Sequence, residues 1–409
     1  MRQARGLYFC LFLAALAILP ASIGALDFGF ITSQYVGFNN QTGGENRFEY
    51  RGDMLPRFSG LIGDMGEFTV SPGFTIGKED AFYYVPEFLR TEIVLRFGGS
   101  VIKAGRIYYA DPLGFIASGL FDGVQFAHNS VAGTFSIGAW YTGLLYKKTA
   151  NITMTDNEQK AYDTALDYND FVNTYFAPRR LLVSVDWEHP SVAERLLLKA
   201  AVTGQADFSD SGEKYHSVYV TVKAGLPLNS FLFELGGSLE TAFIGTAAGQ
   251  INTMAFAGNL GISWTPPASF NSRLSFNVRY AGARVDNFIR AFVPVTTKYF
   301  GDVFKPRLPG LTMLGLNYTA RLSRFIGMSL SAIHFVRNDL GTFSAYPLGA
   351  DNSEGHFLGT EFFARLIWSP VSDIQFNFGG GAFLPLLGDA APDANTQWRV
   401  ELTAIIALY

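Results

Sequence analysis

The chain is built from stretches in which apolar and polar residues alternate. Within Ser272–Arg284, Leu274 and Phe276 fall on one side of the alternation, while Arg273 and Asn277 fall on the other. Successive side chains of a β-strand point to opposite faces, so a period of two predicts strands with one apolar and one polar face. About eighteen such strands are predicted, at 27–38, 45–62, 65–77, 86–97, 100–108, 119–128, 131–146, 179–188, 196–206, 214–225, 229–243, 251–264, 272–284, 310–321, 327–337, 356–368, 372–383 and 396–409.

The predicted connections alternate in length. Short turns such as Phe97–Ser100 and Ser369–Ser372 alternate with longer segments, notably Lys147–Pro178, Val285–Pro309 and Asn338–Gly355. An N-terminus in the periplasm puts the short turns there and the long loops outside, as in bacterial outer-membrane barrels. A soluble β-sandwich also alternates, but its strands are typically only about 5–6 residues long. The sequence therefore predicts an all-β fold, a transmembrane antiparallel up-and-down β-barrel of about 18 strands.

Composition favours the same fold. Aromatic residues make up 15% of the chain and charged residues only 16%, against about 25% charged residues in typical soluble domains. Beyond residue 25 no segment approaches the run of about 20 apolar residues that a transmembrane helix needs. Tyrosine and tryptophan fall near predicted strand ends, as at Tyr84, Tyr146, Trp187 and Trp368, where aromatic girdles meet the membrane interfaces.

The N-terminus predicts secretion. Arg2 and Arg5 precede an apolar stretch and then small residues through Ala25, the pattern of a cleavable signal peptide; a short membrane anchor is the alternative. We therefore expect a signal peptide at 1–25, a barrel domain at 26–409, and a location in the bacterial outer membrane. Cys10 is the only cysteine, so a mature chain would have no thiol. The net charge of −4 includes no basic run that would predict a nucleic-acid partner.

No enzymatic site is predicted. The histidines are scattered singly, and neither a nucleophile elbow nor an HExxH motif occurs near them. We therefore predict no catalytic residue, no metal site and no cofactor. These histidines are His128, His189, His216, His334 and His356.

The polar side of the predicted strands carries charges. A charge on the lipid-facing side would cost about 2–4 kcal/mol at mid-bilayer, so these side chains are expected to line the lumen. A barrel this wide leaves an aqueous path unless a loop plugs it. Lys103 falls on the opposite parity to Arg106, which a bulge, or snorkelling of the lysine near the periplasmic rim, would resolve. The candidate pore-lining residues are Arg90, Glu92, Arg96, Arg106, Arg180, Asp186, Glu188, Lys223, Glu234, Glu240, Arg273, Arg279, Arg321, Glu361, Arg365, Arg399 and Glu401.

Three stretches resemble the alginate-export family of porins. They are Lys103–Arg106, Leu120–Val124 and the closing part from Leu358 to Pro385. The resemblance implies an eighteen-stranded outer-membrane channel with Arg106 and Glu361 on its wall. Tyr409 is similar to the terminal aromatic residue that the barrel-assembly machinery reads, which would make that machinery a partner during biogenesis.

Together these patterns predict an outer-membrane, porin-like channel for passive or substrate-selective passage of polar solutes. The expected partners are the lipid bilayer and a polar small-molecule or oligosaccharide solute. Two alternatives remain open. One is a surface structural protein or adhesin with an occluded lumen, and the other is a barrel that transports hydrophobic substrates of the fatty-acid type.

Overall fold

A computed structural model describes residues 23–40, 44–78, 82–154, 158–159, 162, 164–209, 214–246, 249–267, 271–285, 288–341 and 355–408. These residues form one closed sheet of eighteen strands, which confirms the predicted strand count. The predicted signal segment lies almost wholly outside the described residues, and so does Tyr409. The strands are β1 Ile23–Asn39, β2 Arg47–Ile62, β3 Gly66–Lys78, β4 Phe82–Phe97, β5 Ser100–Ala110, β6 Ser118–Ser130, β7 Gly133–Tyr141, β8 Arg180–Val192, β9 Leu196–Asp207, β10 Lys214–Leu228, β11 Phe231–Thr246, β12 Gly249–Trp264, β13 Arg273–Ala281, β14 Leu311–Arg321, β15 Ile326–Arg337, β16 Phe357–Val371, β17 Ile374–Leu384 and β18 Gln397–Leu408.

Each strand pairs antiparallel with its neighbours in sequence. The first strand also pairs with the last, with Phe30 opposite Leu408 and Asn39 opposite Arg399. This pairing closes the sheet and removes the free edges that an open sheet would expose. The architecture is therefore the up-and-down barrel that the sequence predicts.

The strands alternate as predicted between an apolar outer face and a polar inner face. On β11, Phe233 and Leu235 are exposed on the outside, and Leu235 has 63% of its surface accessible. Glu240 lies on the opposite parity and is fully buried. Neighbouring β10 repeats the pattern with exposed Val218 and Val220. Such a continuous belt of exposed apolar side chains is typical of a surface that lies in lipid. No helix among the described residues is long and apolar enough to cross a membrane.

The four longest connections, 142–179, 282–310, 338–356 and 385–396, all lie at one rim of the barrel, where 111–117 lies as well. The 142–179 loop includes the short helix α1 at Phe171–Tyr175. Connections at the other rim are mostly two to four residues long, with 265–272 the longest. The predicted strand 131–146 is too long, because β7 ends at Tyr141 and Tyr146 instead pairs with Phe176 within its own loop.

Three of these loops fold into the barrel and bond to one another. The amide of Thr296 donates to the carbonyl of Ile116 at 3.0 Å, which joins the 282–310 loop to the 111–117 loop. The amide of Thr153 donates to Val295 O at 3.0 Å, which joins the 142–179 loop to the 282–310 loop. Ile116, Val295 and Phe292 are almost fully buried in one apolar cluster with inward wall residues. The barrel is therefore narrowed from inside by an apolar loop assembly.

Candidate channel lumen

The strand register fixes which charged side chains point inward. Lys223 pairs across from Gly236, and Glu234 from Gly225, on the face opposite the exposed valines of β10. All the candidate pore-lining residues except Arg106 share this inward parity. They are Arg90, Glu92, Arg96, Arg180, Asp186, Glu188, Lys223, Glu234, Glu240, Arg273, Arg279, Arg321, Glu361, Arg365, Arg399 and Glu401.

Many inward charges form ion pairs on the wall. Lys223 Nζ lies 2.7 Å from Glu234 Oε1, and Arg365 Nη2 lies 3.0 Å from Glu401 Oε1. Towards the short-turn rim the pairs are open to water, since the Arg96 side chain is 55% exposed in its pair with Glu67. The wall is therefore lined by paired charges of both signs.

The alternation also places charges inward that the sequence analysis did not select. Lys103 lies opposite Val94 and Gln125 on the inner face. Glu49 and Arg51 on β2 face inward beside Tyr35. The sequence signal on β2 is weak because its inward side also carries Leu55.

Arg106 is the exception, and its predicted position on the channel wall is wrong. It shares the parity of Tyr108 and Val124, whose side chains are exposed on the outside. No register shift interrupts β5 in its pairing with β4 or β6. Lys103 and Arg106 are three residues apart, so a regular strand must place them on opposite faces. The bulge that would have brought both inward is not present on this strand.

Arg106 instead closes a fork between two strands. Pairing of β4 with β5 begins at the short turn and ends at Thr91 and Arg106. From there towards the long-loop rim the two strands are not paired with each other. The Arg106 guanidinium bonds to Phe88 O, to Leu144 O at 3.0 Å and to both carboxylate oxygens of Asp122. The arginine therefore joins β4, β6 and the 142–179 loop at the apex of the fork.

The 142–179 loop fills the fork. The hydroxyls of Tyr168 and Tyr175 donate to the carbonyls of Tyr84 and Pro86 on the unpaired edge of β4. Burial raises the pKa of Tyr175, and nearby Glu87 adds to the shift, so its hydroxyl remains a neutral donor. Side-chain donors thus replace the strand that would otherwise bond to this edge.

Three inward residues are covered by the loops and do not meet the water of the lumen. Glu240 accepts bonds from Val293 N at 2.8 Å and from the hydroxyl of Tyr215. Glu361 accepts bonds from the backbone amides of residues 302–304 in the 282–310 loop. Arg180 is buried in an ion pair with Glu158 of the 142–179 loop. Strand alternation identifies an inward position but gives no information about which loop will lie over it.

Asp111 organises the 111–117 loop. Its carboxylate accepts bonds from the amides of Leu113, Gly114, Ile116 and Ala117, at 2.8–3.1 Å. Burial raises the pKa of Asp111, and these four amides partly oppose the shift. The carboxylate therefore acts as the internal support of this turn. In the described part of the chain no group of three or more His, Cys, Asp or Glu side chains is arranged to hold a metal ion.

Two cations stand out near the loop assembly. Arg399 bonds to Glu401 at 2.9 Å and to Tyr35 and Glu49, yet its Nη1 is buried without a hydrogen-bond partner. Lys305 lies nearby on the 282–310 loop. Burial lowers the pKa of Lys305, and the charge of Arg399 lowers it further. Glu49, Glu401 and Asp302 lie near the same two cations, so charges of both signs meet at this part of the lumen.

The closed barrel of eighteen strands, its apolar outer belt and its inward-folded loops define a membrane barrel of the porin architecture. Solved structures with this fold include several from Pseudomonas aeruginosa. OccK2 (OpdF) aligns with a TM-score of 0.61 and 12% identity over 94% of this chain and 97% of its own. OccK2 in complex with glucuronate aligns with a TM-score of 0.58 and 12% identity over 94% and 98%.

The outer membrane protein OprD of the same organism aligns with a TM-score of 0.54 and 14% identity, over 94% of this chain and 93% of its own. No family model matches the sequence, and no curated protein matches it significantly. The structural similarity is to OccK and OprD porins, so the resemblance to alginate-export porins is wrong. The short motifs that carried it occur on ordinary barrel strands and turns, and they do not specify a family.

Proposed function

We propose that this chain is an outer-membrane channel that admits small polar solutes, with selection at the loop-narrowed part of its lumen. The observation that carries the proposal is the contrast between an inner wall of charged side chains and an outer belt of apolar ones. A bilayer on the outside and water on the inside satisfy both surfaces. The expected partners are the lipid bilayer, a polar solute and the barrel-assembly machinery.

The solute class follows from the cations near the loop assembly. Arg399 Nη1 has no hydrogen-bond partner although Glu49 and Glu401 already pair with the same guanidinium, and a carboxylate is the acceptor that a guanidinium binds best. Glucuronate, the ligand in one of the OccK2 structures, is an acidic sugar, and its presence there supports small acidic solutes for a barrel of this fold. We therefore propose small polar solutes that carry a carboxylate.

Planar bilayers test the channel function. The refolded protein, checked by its heat-modifiable migration on gels, should give stepwise conductance, and glucuronate should reduce the current at millimolar concentration. The neutral sugar of the same size, glucose, is the control and should block less. Absence of conductance from folded protein would contradict the channel, whereas conductance with equal block by both sugars would contradict only the acidic solute.

The adhesin alternative combines functional surface loops with an occluded lumen. Functional surface loops are not favoured, because the 111–117, 142–179 and 282–310 loops contribute buried residues to the interior. Inward loops are common to an occluded lumen and to a narrowed one, and the conductance measurement separates the two. Loops packed inside a barrel are typical of channels whose aperture they narrow.

A further inference from the structure

One turn of the 282–310 loop is held by a single wall carboxylate. Glu361 Oε1 accepts the amide of Asp302 at 2.6 Å, and Oε2 accepts the amides of Val303 and Phe304 at 3.0 and 2.8 Å. Glu361 is fully buried, and no cation forms an ion pair with it among the described residues. Successive amides that converge on one anion form a nest, which here fixes the path of the loop backbone.

The turn is shaped to approach this carboxylate closely. Gly301 has φ +90°, and a Cβ at this position would lie 2.7 Å from Glu361 Oε2. Any side chain there would push the backbone away from the carboxylate. On the other side of the nest, Phe304 stacks on Phe383 of the wall with ring centroids 4.2 Å apart. The turn is therefore fixed by a carboxylate and an aromatic stack together.

Lys305 follows directly and has a strained backbone. Its φ of +51° lies in the left-handed region, which is unfavourable for a residue with a Cβ. The amide of Phe300 donates to Pro306 O at 3.1 Å and closes the chain around it. The nest before Lys305 and this bond around it hold the strained conformation in place.

Lys305 lies among charged groups of the wall and of its own loop. Arg399, Glu401 and Glu49 of the wall and Asp302 of the loop act on its charge. Arg399 and Glu49 belong to β18 and β2, whereas the nest lies on β16, so the lysine faces a neighbouring part of the wall. Within the described ranges no hydrogen bond or ion pair reaches Lys305 Nζ. Its charge is thus not cancelled by direct contact, unlike that of Lys223.

We propose that Lys305 is a selectivity-determining residue of the channel, and that Glu361 is the positioning residue that presents it to the solute path. The proposal rests on the channel function above. A positive charge at the narrow part of the lumen favours the passage of anions. Glu361 acts on selectivity only through the backbone that it holds.

Reversal potentials across a KCl gradient test the role of Lys305. Lys305→Gln should lower the chloride-to-potassium permeability ratio about threefold, the size of effect expected for one poorly screened charge within several ångströms of the path. Lys305→Arg should retain the ratio. Lys103→Gln removes the same charge from a part of the inner wall closer to the short-turn rim and should change the ratio less. An unchanged ratio in Lys305→Gln, or an equal change in Lys103→Gln, would overturn the assignment.

The positioning role of Glu361 is tested by the direction in which the permeability ratio changes when Glu361 is replaced. Removing the negative charge of Glu361 would by simple electrostatics favour anions. If Glu361 positions Lys305, Glu361→Gln should instead shift the ratio toward cations, and adding Lys305→Gln should give no further shift. A shift of Glu361→Gln toward anions, or an unchanged ratio, would overturn the positioning role.

A second variant perturbs the nest without changing the charge of the wall. Gly301→Ala introduces a Cβ against Glu361 Oε2 and should also shift the ratio toward cations, which keeps the test available if Glu361→Gln folds poorly. Gly98→Ala, at a positive-φ glycine in a short turn at the other rim, is the matched control and should leave the ratio unchanged. Failure of the wild-type protein to conduct would overturn the proposed function, whereas conductance with a ratio insensitive to Lys305 overturns this inference alone.

Discussion

Arg180 at the outer end of β8 and Glu158 in the 142–179 loop form an ion pair with 2.6 Å between Nη2 and Oε2. Both side chains are almost completely inaccessible to solvent. Arg180 also pairs with Asp207 on β9, so one guanidinium links two strands to a loop. A charge cluster of this kind is stable only while all its members are present.

Replacing Arg180 should therefore cost more than replacing an exposed wall arginine. Arg180→Ala leaves two buried carboxylates without their shared cation and should destabilise the barrel by about 3–5 kcal/mol. Arg273→Ala is the control, because Arg273 is exposed and bonds to Ser263. Urea unfolding, followed by heat-modifiable gel migration in lipid, measures both. Equal losses in the two variants would show that the buried cluster does not anchor the loop.

Cysteine labelling on β13 tests the inward and outward faces. Cysteines at Ser275 and Asn277 should react with small water-soluble reagents, whereas cysteines at Phe276 and Val278 should react only with membrane-soluble ones. The prediction follows from the period of two, since a slip of one residue moves every side chain to the other face. The reverse pattern in a Cys10-free background would contradict the register.

Alkaline pH should reduce the anion preference of the channel. Because the pKa of Lys305 is lowered by burial and by Arg399, Lys305 loses its proton before an ordinary lysine does, whose pKa is about 10.4. The permeability ratio should therefore fall as the pH rises from about 7 to about 10. Lys305→Arg should flatten the curve, because arginine stays charged throughout. An identical pH profile in that variant would assign the titration to another group.

Arg106 should contribute to the integrity of the barrel and not to selectivity. Arg106→Ala removes the donors to Phe88 O and Leu144 O and leaves Asp122 without its cation, so the fork should loosen. We expect a loss of about 3 kcal/mol in stability and noisier single-channel currents with an unchanged permeability ratio. Lys103→Ala, on the opposite face of the same strand, should change stability little. A selectivity change in Arg106→Ala without a loss of stability would return this residue to the solute path.

The wall of this barrel could be predicted from sequence because the face that each side chain occupies depends only on its position within one strand. The alternation of Phe233 and Leu235 with Glu234 needs no information beyond the strand itself, and the inner and outer faces of β10 to β12 agree with this alternation. The same reasoning located Glu361 and Arg399 on the inner face. It missed the first residues of β4 and overextended β7, where the loop turns inward.

The lumen could be predicted only in part because its shape depends on contacts between residues that are far apart in the sequence. That Glu361 is covered depends on amides of residues 302–304, about sixty positions away in sequence. Lys305 carried no periodic signal, since it lies in a loop and its orientation follows from a left-handed backbone. Arg106 was placed wrongly because the sequence around it is apolar on both parities, and the fork of β4 and β5 appears only in the pairing.

The nest on Glu361 has a consequence for how such a barrel can diversify. The carboxylate of Glu361 binds backbone amides, which every residue except proline supplies. This interaction is therefore insensitive to the identity of most side chains in the 282–310 loop. Asp302 and Lys305 can change in evolution while the 282–310 loop stays bound to the carboxylate. Glu361 and Gly301, in contrast, cannot change without releasing the loop. New solute preferences can therefore arise through single substitutions in a 282–310 loop whose backbone stays in place, without any change in the strands.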